Sequence, residues 1–599
     1  MIKEKDVLNF QRNNLNQSSS PYLLQHAENP VWWQEWSAEI LKAAVKQNNP
    51  LFISVGYATC HWCHVMAADA FSDKDTADYL NEHFICIKVD REIRPDIDQF
   101  LMQFIIAQNG SGGWPLNVFL TPEIHPIFAL TYAPAHASGS MSSLINICKR
   151  VYEYYRNHKN KIQPFKAKEQ SPPLIEEHRI SKNLLTYFDS VDGGFGLGQK
   201  FPPHTTLLYL LYLLCSDNQE EIRNLCIKTL DSMRLRGLHD HLQGGIFRYC
   251  VDKKWTIPHF EKMLYDQAMA LWGFSLAYRV LDKKEYAKMA EGILFCLESC
   301  FKDKHFYISA FDADTDHKEG GTYIWQYEEL RMLLSTEEFH RLSESYIIRR
   351  EGNFKGAIHL VRKNDNAMED VEKKLLMIRN QKMQPDKDTK VLCGINALAA
   401  VAMLQAGRFL GKKKLEITAG QLVEHLIEKF WDGKILAHSR SNGKMQKQDF
   451  LFDGACLLLA ITMLYENNTI WGPQMEEIFQ YVLSFKKGNT WIESRSGDFY
   501  TIEASWIDHP IPSSVSLAEM GVTRVKLFTG KSILPSSYRQ SFQADFFNIA
   551  VMMQNGLFHH YTTEKAVSWN QLPANSMQMR GKPDTDCYQG TCRPVTFKK

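Results

Sequence analysis

The sequence predicts a two-part chain, an α/β unit followed by an all-α unit, and three observations predict it. A β-branched and aromatic run, "PLFISVGY" from Pro50, leads at once into "ATCHWCHVM" and a helical stretch, the pattern of a buried strand feeding a helix. After a polar, proline-bearing linker around 160–175, amphipathic helical stretches recur to about residue 556. The connections between them alternate between short turns and long loops rich in glycine and aromatics. At 599 residues the chain is too long for one ordinary domain, which agrees with the division.

Composition narrows the classes of function. Lys+Arg at 69 against Asp+Glu at 68 leaves a net charge of +1, and no basic run carries interleaved aromatics, so nothing favours a nucleic-acid partner. "TTLLYLLYLLC" is strongly apolar, but no stretch reaches the roughly 18 uninterrupted apolar residues of a membrane span. The start, "MIKEKDVLNFQRNN", has no apolar signal region. Thirteen cysteines, an odd number with only two close pairs, suit a reducing compartment rather than a secreted disulfide framework. A cytoplasmic protein without membrane association is expected.

In the first unit the elements read in order as a strand (PLFISVGY), a helix (HVMAADAFSDKDTADYLNEHF), a strand (FICIKVDRE) and a helix (DIDQFLMQFIIAQ). Two strands (WPLNVFLTP and PIFALTYA) and a helix (SSLINICKRVYEYYRNH) follow. The order β-α-β-α-β-β-α, with Cys-x-x-Cys after the first strand, is that of thioredoxin. A cysteine at a helix N-terminus feels the positive end of the macrodipole and free N–H groups, which favour its thiolate. Cys60 is therefore the candidate nucleophile and Cys63, one turn on, the resolving thiol. Trp62 packs beside them. In "GSGGWPLNVFL", Pro115 opens a strand after Trp114, where this fold places a cis-proline loop facing the dithiol. Two other readings compete: Cys60 and Cys63 as small buried residues, or Cys60, His61, Cys63 and His64 as zinc ligands. Four residues on one helix start converge poorly on a tetrahedral ion and no second cluster stands nearby, so no metal and no cofactor is expected. A histidine beside each thiol is read instead as tuning its pKa or passing protons.

"SSSPYLLQHAENPVWWQEWSAEILKAA", "VGYATCHWCHVMAADAF", "IKVDREIRPDID" and "SGGWPLNVFLTPE" span most of residues 17–134. Together they resemble the N-terminal thioredoxin-like domain of the spermatogenesis-associated protein 20 family. This chain has "PVWW" where the family has Pro-Val-Asp-Trp, and Asp69 where it has Glu, while the dithiol is intact.

In the second unit, helices are expected over 205–216, 220–236, 262–281, 285–302, 391–410, 415–431, 452–467, 472–487, 513–529 and 537–556. Long loops lie at 237–260, 303–326, 349–365, 432–451 and 488–512. Hairpins with short turns on one side and long loops on the other build an (α/α) toroid whose loops gather at one end and form a site. The stretch "GLHDHLQGGIFRYCVDKKWTIPHFEKMLYD", which contains the first loop, holds Asp240, Arg248, Tyr249, Trp255, His259 and Glu261, and the second loop holds Asp312, Asp314, Tyr323 and Trp325. Aromatic platforms beside carboxylates and His/Arg donors suit a sugar: rings stack on its apolar faces and paired carboxylates do acid/base work. The competing reading is of loops that merely satisfy their own polar groups.

"DGGFGLGQKFP", "GLHDHLQGGIFRYCVDKKWTIPHFEKMLYD" and "FDADTDHKEGGTYIW" resemble the second region of the same family. That resemblance implies a six-hairpin glycosidase-like (α/α)6 barrel, the fold shared by cellulases and N-acylglucosamine epimerases. Departures fall at Gln243, Thr389, Ile395 and Val515, where the family pattern has other residues.

The expected division is therefore residues 1–170, thioredoxin-like; 171–575, the barrel; and 576–599, a flexible tail whose Cys587 and Cys592 exchange with Cys60–Cys63. Three functions fit. One is a thiol–disulfide oxidoreductase acting on protein thiols or disulfides, with a barrel that binds or processes carbohydrate. The second is a glycoside hydrolase or epimerase with a thioredoxin adaptor and Asp240, His259, Glu261, Asp312 and Asp314 as acid/base candidates. The third is a non-catalytic interaction protein.

Overall fold

The structure, a computed structural model, describes residues 10–166, 184–508, 510–530, 545–581 and 583–597. The boundary expected near residue 170 and the first part of the helix expected from 537 lie outside them.

The N-terminal unit is a five-stranded sheet of β1 (Gln34–Glu35), β2 (Leu51–Gly56), β3 (Ile85–Asp90), β4 (Leu116–Leu120) and β5 (Pro126–Leu130) in the order β1-β3-β2-β4-β5. β1 and β2 run parallel to β3; β4 is antiparallel to β2 and to β5. Five helices cover the sheet: α1 (Ala38–Gln47), α2 (His61–Ala68), α3 (Lys74–His83), α4 (Pro95–Asn109) and α5 (Leu144–His158). Because side chains alternate along a strand, β2, β3 and β4 feed two cores. Phe52, Cys86 and Phe119 pack with Met66, Leu80 and Leu144 of α2, α3 and α5. Leu51, Ile53, Ile87 and Val118 pack with Ile40, Ile97 and Leu101 of α1 and α4. The helix starts are set by side chains that accept orphan N–H groups: Ser37 for α1, Asp73 for α3 and Cys60 for α2.

The second unit is built of α6 (His204–Ser216), α7 (Glu220–Leu235), α8 (Leu264–Leu281), α9 (Lys284–Cys296), α10 (Cys393–Leu410), α11 (Lys413–Phe430), α12 (Leu451–Asn467), α13 (Gly472–Leu483), α14 (Ser514–Thr529) and α15 (Phe546–Gln554). Six of them form a closed ring: α6 packs on α8, α8 on α10, α10 on α12, α12 on α14, α14 on α15, and α15 back on α6. Those six are buried nearly all round, whereas α7, α9, α11 and α13 keep an exposed face and lie outside. This is the (α/α)6 toroid that the alternation of turns and loops anticipates. Among the described residues one helix, Cys393–Leu410, has the length and apolarity of a membrane span, and it is 94% buried within the ring.

The inner helices point the same way. Met263 and Leu392, just before α8 and α10, sit in loop ladders with Ala310 and Ser439, and Asp508 accepts the first N–H of α15. The N-terminal unit is seated on this loop end. At the seam a buried Lys390 reaches Asp90 at 2.6 Å, Glu92 at 3.0 Å and Asp388 at 3.0 Å. Arg94 pairs with Asp498 at 2.9 Å, His438 Nε2 donates to the Glu92 carbonyl, and Phe100 packs edge-on against Phe499.

The C-terminal residues differ from expectation. Instead of a flexible tail, β6 (His559–Thr563), β7 (Ser576–Arg580), β8 (Thr585–Tyr588) and β9 (Thr591–Pro594) form a sheet in the order β7-β6-β8-β9. Cys587 and Cys592 face one another across the β8–β9 hairpin in a disulfide. His559 stacks on Tyr588 and pairs with Asp586, and Leu572 and Val567 bury beneath Tyr561. The polar composition of "SMQMRGKPDTDC" conceals this, because its partner strand lies upstream. The sheet caps the far end of the ring: Arg279, late in α8, donates to the Asn570 and Leu572 carbonyls, and Arg408, late in α10, lies over Trp569. Inner helices of 18 residues are about 27 Å long, so the two disulfides stand at opposite ends of the toroid.

Two outcomes follow. Lys390→Met strands three buried carboxylates and should cost roughly 3–5 kcal/mol in denaturant unfolding. A Cys63→Ser chain under mild oxidation should give no peptide linking Cys60 to Cys587 or Cys592 within one molecule by mass spectrometry.

Candidate functional site

β2 delivers the chain to the dithiol. Gly56 ends it, and a Cβ there would stand 2.7 Å from Cys63 Sγ, so only glycine lets the strand pass this close to the sulfur. Cys60 caps α2: its sulfur accepts the Cys63 N–H at 3.2 Å, and the two residues are joined in a disulfide. Trp114–Pro115 is a cis peptide, one residue before Leu116, which pairs with Val55 of β2. Both cysteines are buried, Cys60 at 3% and Cys63 at 1%. The toroid's loops lie against this edge. Trp62 remains half exposed on the rim, tilted against Tyr132.

The two histidines that flank the thiols carry the contacts. His61 Nδ1 lies 2.9 Å from Asp314, and His64 Nδ1 lies 3.6 Å from Asp312. Next to them Tyr57 meets Arg248, and Arg248 bonds Glu261 at 2.9 Å. His259 stands between Glu261 (3.5 Å) and Glu319 (3.6 Å), with Tyr249 tilted against its ring. Burial opposes its charge, yet the two carboxylates raise His259 to about 9, so it is an imidazolium at neutral pH. Burial would raise Glu261, but His259 and Arg248 bring it down to about 2. Burial pushes Asp312 up to about 6, which leaves it the carboxyl of this group nearest neutrality. Donor atoms of His64, Asp312 and Asp314 lie within 4.8 Å of one another, a set with metal-ligand chemistry that the sequence reading did not assemble.

The structure thus gathers Cys60, Cys63, Arg248, Tyr249, His259, Glu261, Asp312 and Asp314 on one seam and leaves others out. Asp240, expected in the same cleft, is buried elsewhere. Lys262 and Arg379 hold its carboxyl well below the usual range against the pull of burial, and it touches neither His259 nor Asp314. Trp255 is fully buried, its indole N–H donating to the Gly193 carbonyl, so it is not a ligand platform. Tyr323 stacks on Phe260 inside a small core, and Trp325 is buried under Lys382. Trp114 is engaged by Asp98 at 2.7 Å and lies beneath Arg91. Aromatic residues in loops serve as core here because long loops fold back and need apolar filling of their own.

A cavity of about 250 Å³ opens where the N-terminal unit meets the loop end of the ring. Arg91, Glu92 and Asp98 line it from one side and Tyr265, His438, Phe450, Phe452, Asp453 and Glu493 from the other. Its residues come from the loops at 432–451 and 488–512 and from the starts of inner helices, not from the two loops that the sequence singled out. His438 Nδ1 bonds Asp453 Oδ2 at 2.7 Å, and Asp453 Oδ1 accepts the Gly394 N–H at the start of α10. Burial, with Asp453 and Asp96 nearby, pushes Glu493 up to about 8; Ser514 donates to it at 2.9 Å. "HSRSNGKMQKQDF" and "WIESRSGDFY" contain this chemistry, but only their approach to the ring mouth marks it.

A dithiol domain of thioredoxin type closed onto the loop end of an (α/α)6 toroid defines the class of protein. In sequence the chain is similar to the proteins named spermatogenesis-associated protein 20. A family model of DsbH thioredoxin type, described as "Protein of unknown function, DUF255", matches residues 12–171. The human protein named spermatogenesis-associated protein 20 is 35% identical over 350 residues, covering 54% of this chain and 44% of its own length. An uncharacterized protein of Caenorhabditis elegans is 35% identical over 422 residues, 66% of this chain and 57% of that protein. The match thus spans about half the length of these two relatives. Among solved structures, the cellobiose 2-epimerase of Spirochaeta thermophila DSM 6192 is similar at a TM-score of 0.41 and 12% identity, over 63% of this chain and 83% of its own.

Glu493 gives a test of the cavity's electrostatics. A carboxyl raised to about 8 binds a proton in the folded chain that the unfolded chain has released. Stability should therefore fall as pH rises from about 5 to 8, by up to roughly 1.4 kcal/mol per pH unit from this group, and level off above. Glu493→Gln should remove that slope, so that it gains on the unaltered chain at pH 9 in paired denaturation curves.

Proposed function

We propose that the protein is a thiol–disulfide oxidoreductase whose Cys60–Cys63 pair exchanges with thiols admitted at the rim between the two domains. The observation that supports this best is Cys60 itself, an N-cap residue whose sulfur accepts the Cys63 N–H and is bonded to Cys63. A substrate thiolate attacks Cys60 Sγ, forming a mixed disulfide, and Cys63 leaves as a thiolate that the helix N-terminus favours. A second substrate thiol then displaces Cys60. The substrate dithiol becomes a disulfide, the enzyme disulfide becomes a dithiol, and the reverse sequence reduces a substrate disulfide. His61 and His64 each directly follow one cysteine of the pair and serve as proton carriers. Since the toroid covers the dithiol, substrates reach it as extended protein segments or small thiols past Trp62, rather than as a flat globular surface.

The cavity favours a companion role for the toroid. Its volume sits just below the 300–1,000 Å³ of ordinary ligand pockets and suits a unit the size of one sugar ring. Phe452 lines it with an aromatic ring, and Asp98 and Glu493 supply carboxyl groups as hydroxyl partners. On this reading the toroid binds a carbohydrate and the dithiol acts beside it. Calorimetric titration with mono- and disaccharides, repeated with Phe452→Ala, checks it: binding lost in the variant is expected, and no heat with any sugar rejects it.

For the exchange itself, the Cys63→Ser chain incubated with glutathione disulfide should accumulate a Cys60–glutathione adduct, while Cys60→Ser should give little at Cys63. In the unaltered chain the pair should interconvert between dithiol and disulfide across a glutathione redox series. A pair that stays in one state throughout, or an adduct that favours Cys63, rejects the assignment.

A further inference from the structure

The contact between His64 and Asp312 does not satisfy either group. His64 Nε2 lies 2.8 Å from the Ala58 carbonyl, which can only accept, so Nε2 carries the hydrogen. In the neutral ring Nδ1 then presents a lone pair, and what faces it is Asp312 Oδ2, 3.6 Å away. That is too far for a hydrogen bond and sets two electron-rich atoms toward each other. Asp312 is only 4% exposed, and its Oδ2 has no hydrogen-bond partner among the described residues. A third donor, the Asp314 carboxylate, completes a group whose donor atoms lie within 4.8 Å of one another.

We propose that His64, Asp312 and Asp314 form a site for a divalent transition-metal cation, bridging the dithiol domain and the toroid. Ligand bonds of about 2.1 Å at tetrahedral angles set donor atoms about 3.4 Å apart, close to the 3.6 Å between His64 Nδ1 and Asp312 Oδ2. Each ligand is also held from behind, as metal ligands are. The Ala58 carbonyl fixes the tautomer and ring plane of His64. The Asp314 N–H donates to Asp312 Oδ1 at 3.0 Å. His61 Nδ1–H donates to the Asp314 carboxylate at 2.9 Å, which makes His61 a positioning residue. One imidazole and two carboxylates suit zinc, manganese or ferrous ions. His64 and Asp314 keep 26% and 15% of their side chains exposed, so the ion has a way in and a fourth position open to water. No thiol is among its ligands, and with the ion bound His64 no longer carries protons for the exchange.

The test uses the full chain with its dithiol oxidised, stripped with a chelator, and titrated with Zn²⁺ and separately with Mn²⁺ in a calorimeter. One ion per chain is expected. Asp312→Asn and His64→Gln should each weaken binding at least 100-fold, and His61→Gln about tenfold. The thermal midpoint should rise with Zn²⁺ in the unaltered chain and stay fixed in the first two variants. Where a variant fails to fold, crystals of the unaltered protein soaked in Zn²⁺ decide, by an anomalous peak between the three side chains. No saturable binding, binding unchanged in both variants, or a peak elsewhere overturns the site.

Discussion

One buried lysine organises the seam on which the molecule depends. Lys390 has no solvent exposure and three carboxylates around it, two from the N-terminal domain and one from the toroid. An unpaired charge in such a place is very costly, so neither domain can bury its share of the group alone. Burial, with Glu92 and Asp90 nearby, pushes Asp388 up to about 7. Glu92 ties the group outward, through Ser309 and, by its backbone, through His438 to Asp453 at the cavity. The seam is thus a connected polar layer that fixes register between two separately packed bodies, whereas a purely apolar seam would tolerate sliding.

That fixed register gives the dithiol its surroundings. A thioredoxin-like pair exposed on a free domain would be open to many thiols. Here Asp314 holds His61, Asp312 faces His64, and the sulfurs are covered. Selectivity in such an arrangement comes from what can enter the rim, and the cavity beside it adds a second surface that a substrate must satisfy.

Much of the fold was legible in the sequence because it rests on local periodicity. The run from Leu51 to Gly56, the capped helix at Cys60 and the repeating apolar helices of the toroid each announce themselves within a dozen residues. The dithiol and cis Pro115 were legible for the same reason. The rest of the site was not, because it is made by pairing across hundreds of residues. Nothing near Asp240 indicates that Arg379 will neutralise it, and nothing near Trp255 or Trp325 says that a loop will fold inward over them. The cavity residues Asp453 and Glu493 read as ordinary helix-start and loop carboxylates until the ring closes around them. The C-terminal strands were missed on the same ground, since β8 and β9 need β6 to complete their sheet.

The order of the chain adds a temporal consequence. The buried residues of the dithiol domain's two cores lie between Leu15 and Val151 and are made long before Lys390, although Phe499 and Ile502 join the second core later. At ribosomal speeds of about 5–20 residues per second the interval is on the order of ten seconds or more. During it, Asp90 and Glu92 remain hydrated, and Cys60 and Cys63 lack the cover that the toroid later supplies. Newly made chains therefore pass through a stage in which the pair meets the surrounding thiol pool directly. The oxidation state in which the pair is first enclosed is then inherited from conditions at the ribosome.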